Sequence, residues 1–176
     1  MSFINISAPV SDETIKKLRA GDRVLLSGFV YTGRDAAHKR MMELLAINMP
    51  LPFDIQGQAI YYTGPCPPPP GYIIGSAGPT TSKRMDAYSP HLIKEGLRVM
   101  IGKGSRNNAV IKAIRKYTGI YLAAIGGAGA LAAFCVKRIE PIAFEDLGTE
   151  AIYRLTVCDM PLVVAIDCEG GNIYNA

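Results

Sequence analysis

Apolar residues in this chain fall into short dense runs, separated by segments in which they recur every third or fourth position. That is the pattern of strands alternating with amphipathic helices. Ser11-Asp12-Glu13 sets a capping hydroxyl and two acids ahead of Ile15 and Leu18, with Gly21 as a stop, and predicts a short opening helix. A strand is predicted over 23–31, ending at Thr32-Gly33, and the helix formers of 35–45 follow it. From Met49 to Gly71 the chain is proline-rich, culminating in Pro67, Pro68, Pro69 and Pro70, a run that fits neither a helix nor a central strand. This predicts an extended loop around a short strand at 59–62. Next come an apolar run at Tyr72-Ile73-Ile74, a turn at Ser76-Ala77-Gly78-Pro79, a helix over 82–88 and another over 90–95. A strand at 98–101 and a helix at 106–117, with Val110, Ile111 and Ile114 on one face, continue the alternation. The remainder reads as a strand at 121–125, a helix around Leu131, and strands near 138–144, 152–157 and 162–167. The expected architecture is an α/β domain with a mixed sheet, and the length favours one domain over residues 1–176.

Composition narrows the function classes. Nineteen Lys and Arg against fifteen Asp and Glu give a net charge of +4 that is scattered along the chain. Nucleic-acid binders show basic clusters interleaved with aromatics, so a small anion is the better match and no nucleic-acid partner is expected. Cys66, Cys135, Cys158 and Cys168 show neither CxxC spacing nor pairing with His, so this chain alone is expected to hold no metal. Their dispersion, with no signal peptide at the start, points to a reducing cytoplasm. Residues 120–136 carry no charge, yet the stretch is shorter than the roughly 20 residues of a membrane helix and is interrupted by Gly126, Gly127 and Gly129. A buried strand, a Gly-rich turn and a short helix are expected there, and no membrane partner.

Three segments could carry chemistry, each where an apolar run meets a helix. In Gly78-Pro79-Thr80-Thr81-Ser82-Lys83-Arg84-Met85-Asp86, Thr80 or Thr81 can cap the following helix. Thr80 and Arg84 would then share one helical face beside free backbone N–H groups, a corner suited to a carboxylate. In Gly33-Arg34-Asp35-Ala36-Ala37-His38, Asp35 and His38 are three apart, close enough for the carboxylate to orient the imidazole. Gly102-Lys103-Gly104-Ser105 sets an ammonium between glycines that let backbone approach a ligand, without the spacing of a Walker loop. A rival from another class is Gly127-Ala128-Gly129-Ala130-Leu131-Ala132, which fits a dinucleotide-binding pattern but lacks a well-placed acid after it; close helix–strand packing explains its glycines as well.

Taken together and in order, these segments resemble the C-terminal domain or β subunit of class I, iron–sulfur-dependent fumarate hydratases and the related L(+)-tartrate dehydratases. The resemblance includes Gly78-Pro79-Thr80-Thr81 with Arg84-Met85-Asp86, Met100-Ile101-Gly102-Lys103-Gly104 and Tyr121-Leu122-Ala123-Ala124-Ile125-Gly126-Gly127, and continues through Glu145-Asp146-Leu147-Gly148 and Glu150-Ala151-Ile152-Tyr153-Arg154. It implies a swivelling β/β/α domain, similar to the mobile domain of aconitases. It also implies a larger, cluster-bearing α subunit holding a [4Fe-4S] cluster by three cysteines, in an α2β2 assembly. Arg34, Arg84 and Lys103 would bind the carboxylates of a small dicarboxylate, with Thr80 and Thr81 beside the reacting carbon and Thr80 taking part in proton transfer. Asp35, His38 and Asp86 would support them. Lys83 and Ser105 depart from similar sequences, which touches substrate preference more than reaction type: fumarate is favoured and L(+)-tartrate is the alternative.

Overall fold

The computed structural model describes residues 2–124 and 128–175. Its strands are β1 (Ile4–Ala8), β2 (Arg23–Thr32), β3 (Ala59–Tyr61), β4 (Val99–Gly102), β5 (Ile120–Ala124), β6 (Val136–Ala143) and β7 (Ile152–Ile166). The helices are α1 (Asp12–Lys17), α2 (Asp35–Ala46), α3 (Ser89–Glu95), α4 (Asn108–Tyr117) and α5 (Ala128–Cys135), with 3-10 turns at Ser82–Met85 and Glu145–Glu150. Two helix starts are set by the residues that cap them. The Ser11 hydroxyl accepts from the Thr14 amide at 3.3 Å, and the Asn107 side chain accepts from the Val110 amide at 3.0 Å.

Strands β1 to β5 run parallel in spatial order, while β7 runs antiparallel to both β2 and β5. That double pairing closes β2, β3, β4, β5 and β7 into a small barrel, with β1 beside β2 and β6 beside the first half of β7. The fold is thus α/β with a mixed sheet that includes a closed barrel. Its closure depends on the length of β7, where two strands were expected. Cys158-Asp159 breaks the apolar alternation, but the chain does not turn: Asp159 takes a positive φ of 52° and its amide donates to Ser27 Oγ at 2.9 Å. The register shift opposite Leu26 and Gly28 is a bulge that bends both strands around the barrel. Gly28 is fixed there by a φ of 101° and by the Ala8 carbonyl, which a Cβ would strike.

Alternation along the strands sorts the core into two bodies. Val24, Leu26, Tyr61, Val99, Ile101, Leu122, Leu162 and Val164 share the cluster that α1 seals with Ile15 and Leu18. Ile60, Tyr62, Met100, Tyr121 and Ala165 belong to the other, against Met41 of α2, Leu92 and Ile93 of α3, and Val110 and Ile114 of α4. Every described residue of β3 and β4 is therefore buried. The expected helices of 35–45 and 106–117 are present, the second beginning at Asn108 because Arg106 and Asn107 are engaged elsewhere. Strand β1 was not expected, its apolar run being too short to separate from the helix that follows. The apolar stretch of 120–136 resolves into β5, α5 and the start of β6; Ile125, Gly126 and Gly127 lie outside the described residues. Among the described residues, no helix is long and apolar enough to cross a membrane.

Candidate active site

The three cationic segments meet at the C-terminal ends of adjacent parallel strands, where open α/β sheets bind ligands. Arg34 is the N-cap of α2 immediately beyond β2, and Lys103 follows β4. Thr80, Thr81 and Arg84 arrive from the long connection after β3. The Thr80 amide donates to the Tyr62 carbonyl at 2.6 Å, and the Ser82 amide donates to the Lys103 carbonyl at 2.9 Å. Thr81 also pairs with Lys103 as an isolated parallel bridge. Residues 80–82 are thus threaded between the ends of β3 and β4, which fixes Thr80 and Lys103 on one rim. Gly102 makes the threading possible, since a Cβ there would collide with Ser82 Oγ and stand 2.9 Å from the Tyr62 ring.

This arrangement differs from the expected capped helix. The 82–88 segment is a 3-10 turn over Ser82–Met85, and Thr81, at its N-cap, makes no side-chain capping bond. Thr80 lies outside it, so Thr80 and Arg84 do not share a helical face. The reason is the parallel bridge, which holds 80–81 extended. Asp35 does not orient His38 either. Arg84 Nε donates to Asp35 Oδ1 at 3.0 Å, and Arg84 Nη2 lies 2.9 Å from Oδ2, an ion-pair contact without hydrogen-bond alignment. The His38 ring instead bonds through Nδ1 to the Arg34 carbonyl at 2.8 Å, so it braces the backbone of Arg34. Asp86, expected to support the site, is buried and paired with Arg106 Nε at 2.6 Å; its second oxygen accepts from the Asn107 amide at 2.7 Å. Arg106 also donates to Ser89 Oγ at 2.7 Å and lies over the rings of Tyr62 and Tyr121. That network anchors α4 and α3 to the barrel beneath the rim. No feature of the local sequence pattern around Arg106 distinguishes it from a surface cation.

His38 is fully buried between Tyr62 and Tyr88, with ring centroids 5.4 and 5.9 Å away. Burial, with help from the Arg106 charge, lowers its pKa from 6.5 to about 4, so the ring is neutral near pH 7. The sign of the consequence follows from linkage. Between pH 6.5 and 4 the unfolded chain takes up a proton that the folded chain refuses, so stability is full above pH 6.5 and falls as pH drops towards 4. Chemical denaturation at pH 7 and pH 4.5 is expected to show roughly 2 kcal/mol of loss from this group. His38→Gln should flatten that slope, whatever it does to stability at pH 7.

Glu150, from the turn before β7, is a contributor the local motifs did not single out. Its Oε1 stands 3.9 Å from Arg34 Nε, and neither atom has a hydrogen-bond partner. Gly64 lets Arg34 lie against the backbone, since a Cβ there would come within 3.2 Å of Arg34 Cδ and 3.0 Å of the Thr149 carbonyl. Five buried side-chain polar atoms among the described residues lack a hydrogen-bond partner. Four of them, on Arg34, Asp35, His38 and Glu150, lie in this corner. Three of these four are in ion-pair contact, Arg34 Nε with Glu150 Oε1 and Asp35 Oδ2 with Arg84 Nη2, so the corner is held by charge more than by aligned hydrogen bonds.

Lys103 is exposed, and the Arg84 side chain is 53% exposed, so the cations stand on an open rim. The cysteines do not converge: Cys66 and Cys158 are exposed, Cys135 and Cys168 are buried, and no three potential metal ligands gather among the described residues. The described residues therefore do not offer a donor set that fits an iron–sulfur cluster. Of the dinucleotide-like motif, Gly127 lies outside the described residues. Gly129 is explained by packing, its hypothetical Cβ reaching 2.5 Å from Ser76 Oγ and 3.4 Å from the Gly78 amide.

The family model described as Fumarase C-terminus matches residues 1–176. An aerobic class I fumarate hydratase of Salmonella typhimurium is 36% identical, over 97% of this chain and 30% of its own length. Fumarate hydratase 1 of Leishmania major is 37% identical, over 98% of this chain and 32% of its own length. A protein of Methanocaldococcus jannaschii, provisionally named L(+)-tartrate dehydratase subunit beta, is 39% identical, over 94% of this chain and 88% of its own length. The chain thus spans about a third of the fumarate hydratases it matches and most of the tartrate dehydratase subunit.

Proposed function

We propose, from the premise that the chain belongs to the Fumarase C-terminus family, that it is the carboxylate-gripping part of a hydro-lyase. The favoured reaction is reversible hydration of fumarate to L-malate. Its fold would serve as a swivelling domain, similar to the mobile domain of aconitases, spanning 1–176 as one unit. It would work in the cytoplasm with a cluster-bearing α subunit, in an α2β2 assembly. The observation that carries the reading is the placement of Arg34, Arg84 and Lys103 along one rim, Arg34 beyond β2, Lys103 beyond β4, and Arg84 reaching Asp35 from the connection between them.

The chemistry suits those residues. Loss of the proton beside a carboxylate leaves a carbanion whose charge spreads into that carboxylate. Fixed cations aimed at it stabilise the transition state more than the bound ground state. Arg34 and Arg84 grip with planar forks and Lys103 as a point charge. Thr80 and Thr81 stand beside the reacting carbon, Thr80 half-buried and pinned by its own amide. Thr80 Oγ1 takes part in proton transfer, helped by the surrounding positive charge and by a carboxylate from the partner. The [4Fe-4S] cluster belongs to the partner subunit.

The relative provisionally named as a tartrate dehydratase subunit matches this chain over most of its own length, which favours L(+)-tartrate as the second reading. Assays of the reconstituted, cluster-loaded complex on fumarate, L-malate and L(+)-tartrate side by side decide between them. Faster turnover of fumarate and malate supports the first reading and faster turnover of tartrate the second. Inactivity on all three overturns both.

A further inference from the structure

A second surface adjoins this rim and is apolar. Residues 65–76 form a finger closed at its base, where the Cys66 amide donates to the Ser76 carbonyl at 2.9 Å and the Gly75 amide donates to the Cys66 carbonyl at 3.0 Å. The two limbs are so close that a Cβ on Gly75 would stand 2.5 Å from the Pro67 carbonyl. The four prolines from Pro67 to Pro70 stiffen the tip. This rigid finger holds Tyr72 and Ile73 out at 64% and 49% exposure, and facing α5 adds Phe134 at 72%. Between finger and helix lies a groove of about 460 Å³. From Ile73 and Ile74 a second groove of about 410 Å³ runs past Pro65 and Pro141 to Thr149, the neighbour of Glu150 that faces Arg34. Among the described residues lining either groove, Lys137 alone is charged.

We infer that these grooves are the seat of the cluster-bearing remainder of the enzyme, an inference that rests on the function proposed above. Contiguous exposed apolar surface marks an interaction site, whereas scattered single residues do not. Continuity selects the occupant. The second groove ends at the rim carrying Arg34, so a body that completes the site from above meets the groove as soon as it leaves the rim. The fumarate hydratases matched here contain about two thirds more of their length outside the region this chain covers, enough to supply such a body. The rim itself is charged and would hold a partner weakly, while stable interfaces need an apolar centre. Pre-formed proline scaffolding lowers the ordering cost of docking.

The test is assembly of the chain with the cluster-bearing subunit of its own organism, measured by sedimentation and by affinity. Phe134→Asp and Tyr72→Asp place charge at exposed positions, so the isolated chain should keep its melting temperature within a few degrees. Each is expected to weaken assembly by at least about a hundredfold, as interface anchors do. Ile47→Asp, at an equally exposed apolar residue beyond α2, should assemble as wild type does. Wild-type assembly that both groove variants leave intact, or that Ile47→Asp weakens equally, overturns the docking surface and spares the proposed function. A wild-type chain that forms no complex overturns both. An isolated chain that dimerises, and becomes monomeric with Phe134→Asp, assigns the groove to a second copy and overturns the inference.

Discussion

An assembled enzyme carrying Arg84→Met is expected to lose about a thousandfold in kcat/KM, roughly 4 kcal/mol of transition-state stabilisation. That is the scale on which removing a preorganised charge donor acts. The fold should be spared, because Arg84 is half exposed and its carboxylate partner, Asp35, is 34% exposed. Exposed pairs contribute little to stability, so the melting temperature of the isolated chain should move by no more than a few degrees. The Asp35 contact shows that the Arg84 guanidinium already accommodates a carboxylate on its Nε and Nη2 edge, at 3.0 and 2.9 Å. Turnover by Arg84→Met equal to wild type would remove Arg84 from the site.

Asp86→Ala is expected to act in the opposite way, costing roughly 3–5 kcal/mol of stability measured by denaturant unfolding. The Arg106 side chain is fully buried, and its charge would lose its carboxylate partner. The Asn107 amide at the start of α4 would lose its acceptor as well. The expected role of Asp86 is therefore in folding, although it stands two residues after Arg84. An Asp86→Ala chain as stable as wild type, with only its turnover impaired, would return Asp86 to the site.

These two residues show what the sequence could and could not tell. Arg34 and Lys103 stood out because each follows an apolar run that folds as a parallel strand, β2 or β4, and parallel strands bring such junctions to one edge, whereas Arg84 reaches that edge by the connection after β3. Their partners were not legible. Asp35 pairs with Arg84 from 49 positions away, and Arg106 with Asp86 from 20, separations that only the packing of helices on the barrel determines. Asp35 and His38 had the right spacing to interact, but the nearer carbonyl of Arg34 took the imidazole and the guanidinium took the carboxylate. The barrel was hidden for a related reason. A polar break at Cys158-Asp159 reads as the end of a strand, whereas a bulge opposite Ser27 and Gly28 carries β7 onward to pair with β5.

On the function proposed above, this chain presents half a site: cations that grip a dicarboxylate and act only when the cluster-bearing partner completes it. The rate of fumarate hydration, measured for the isolated iron-free chain and for the reconstituted complex at equal concentration, tests it most directly. The isolated chain is expected to show no detectable turnover, and the complex sustained turnover. Robust hydration of fumarate by the isolated chain would contradict it.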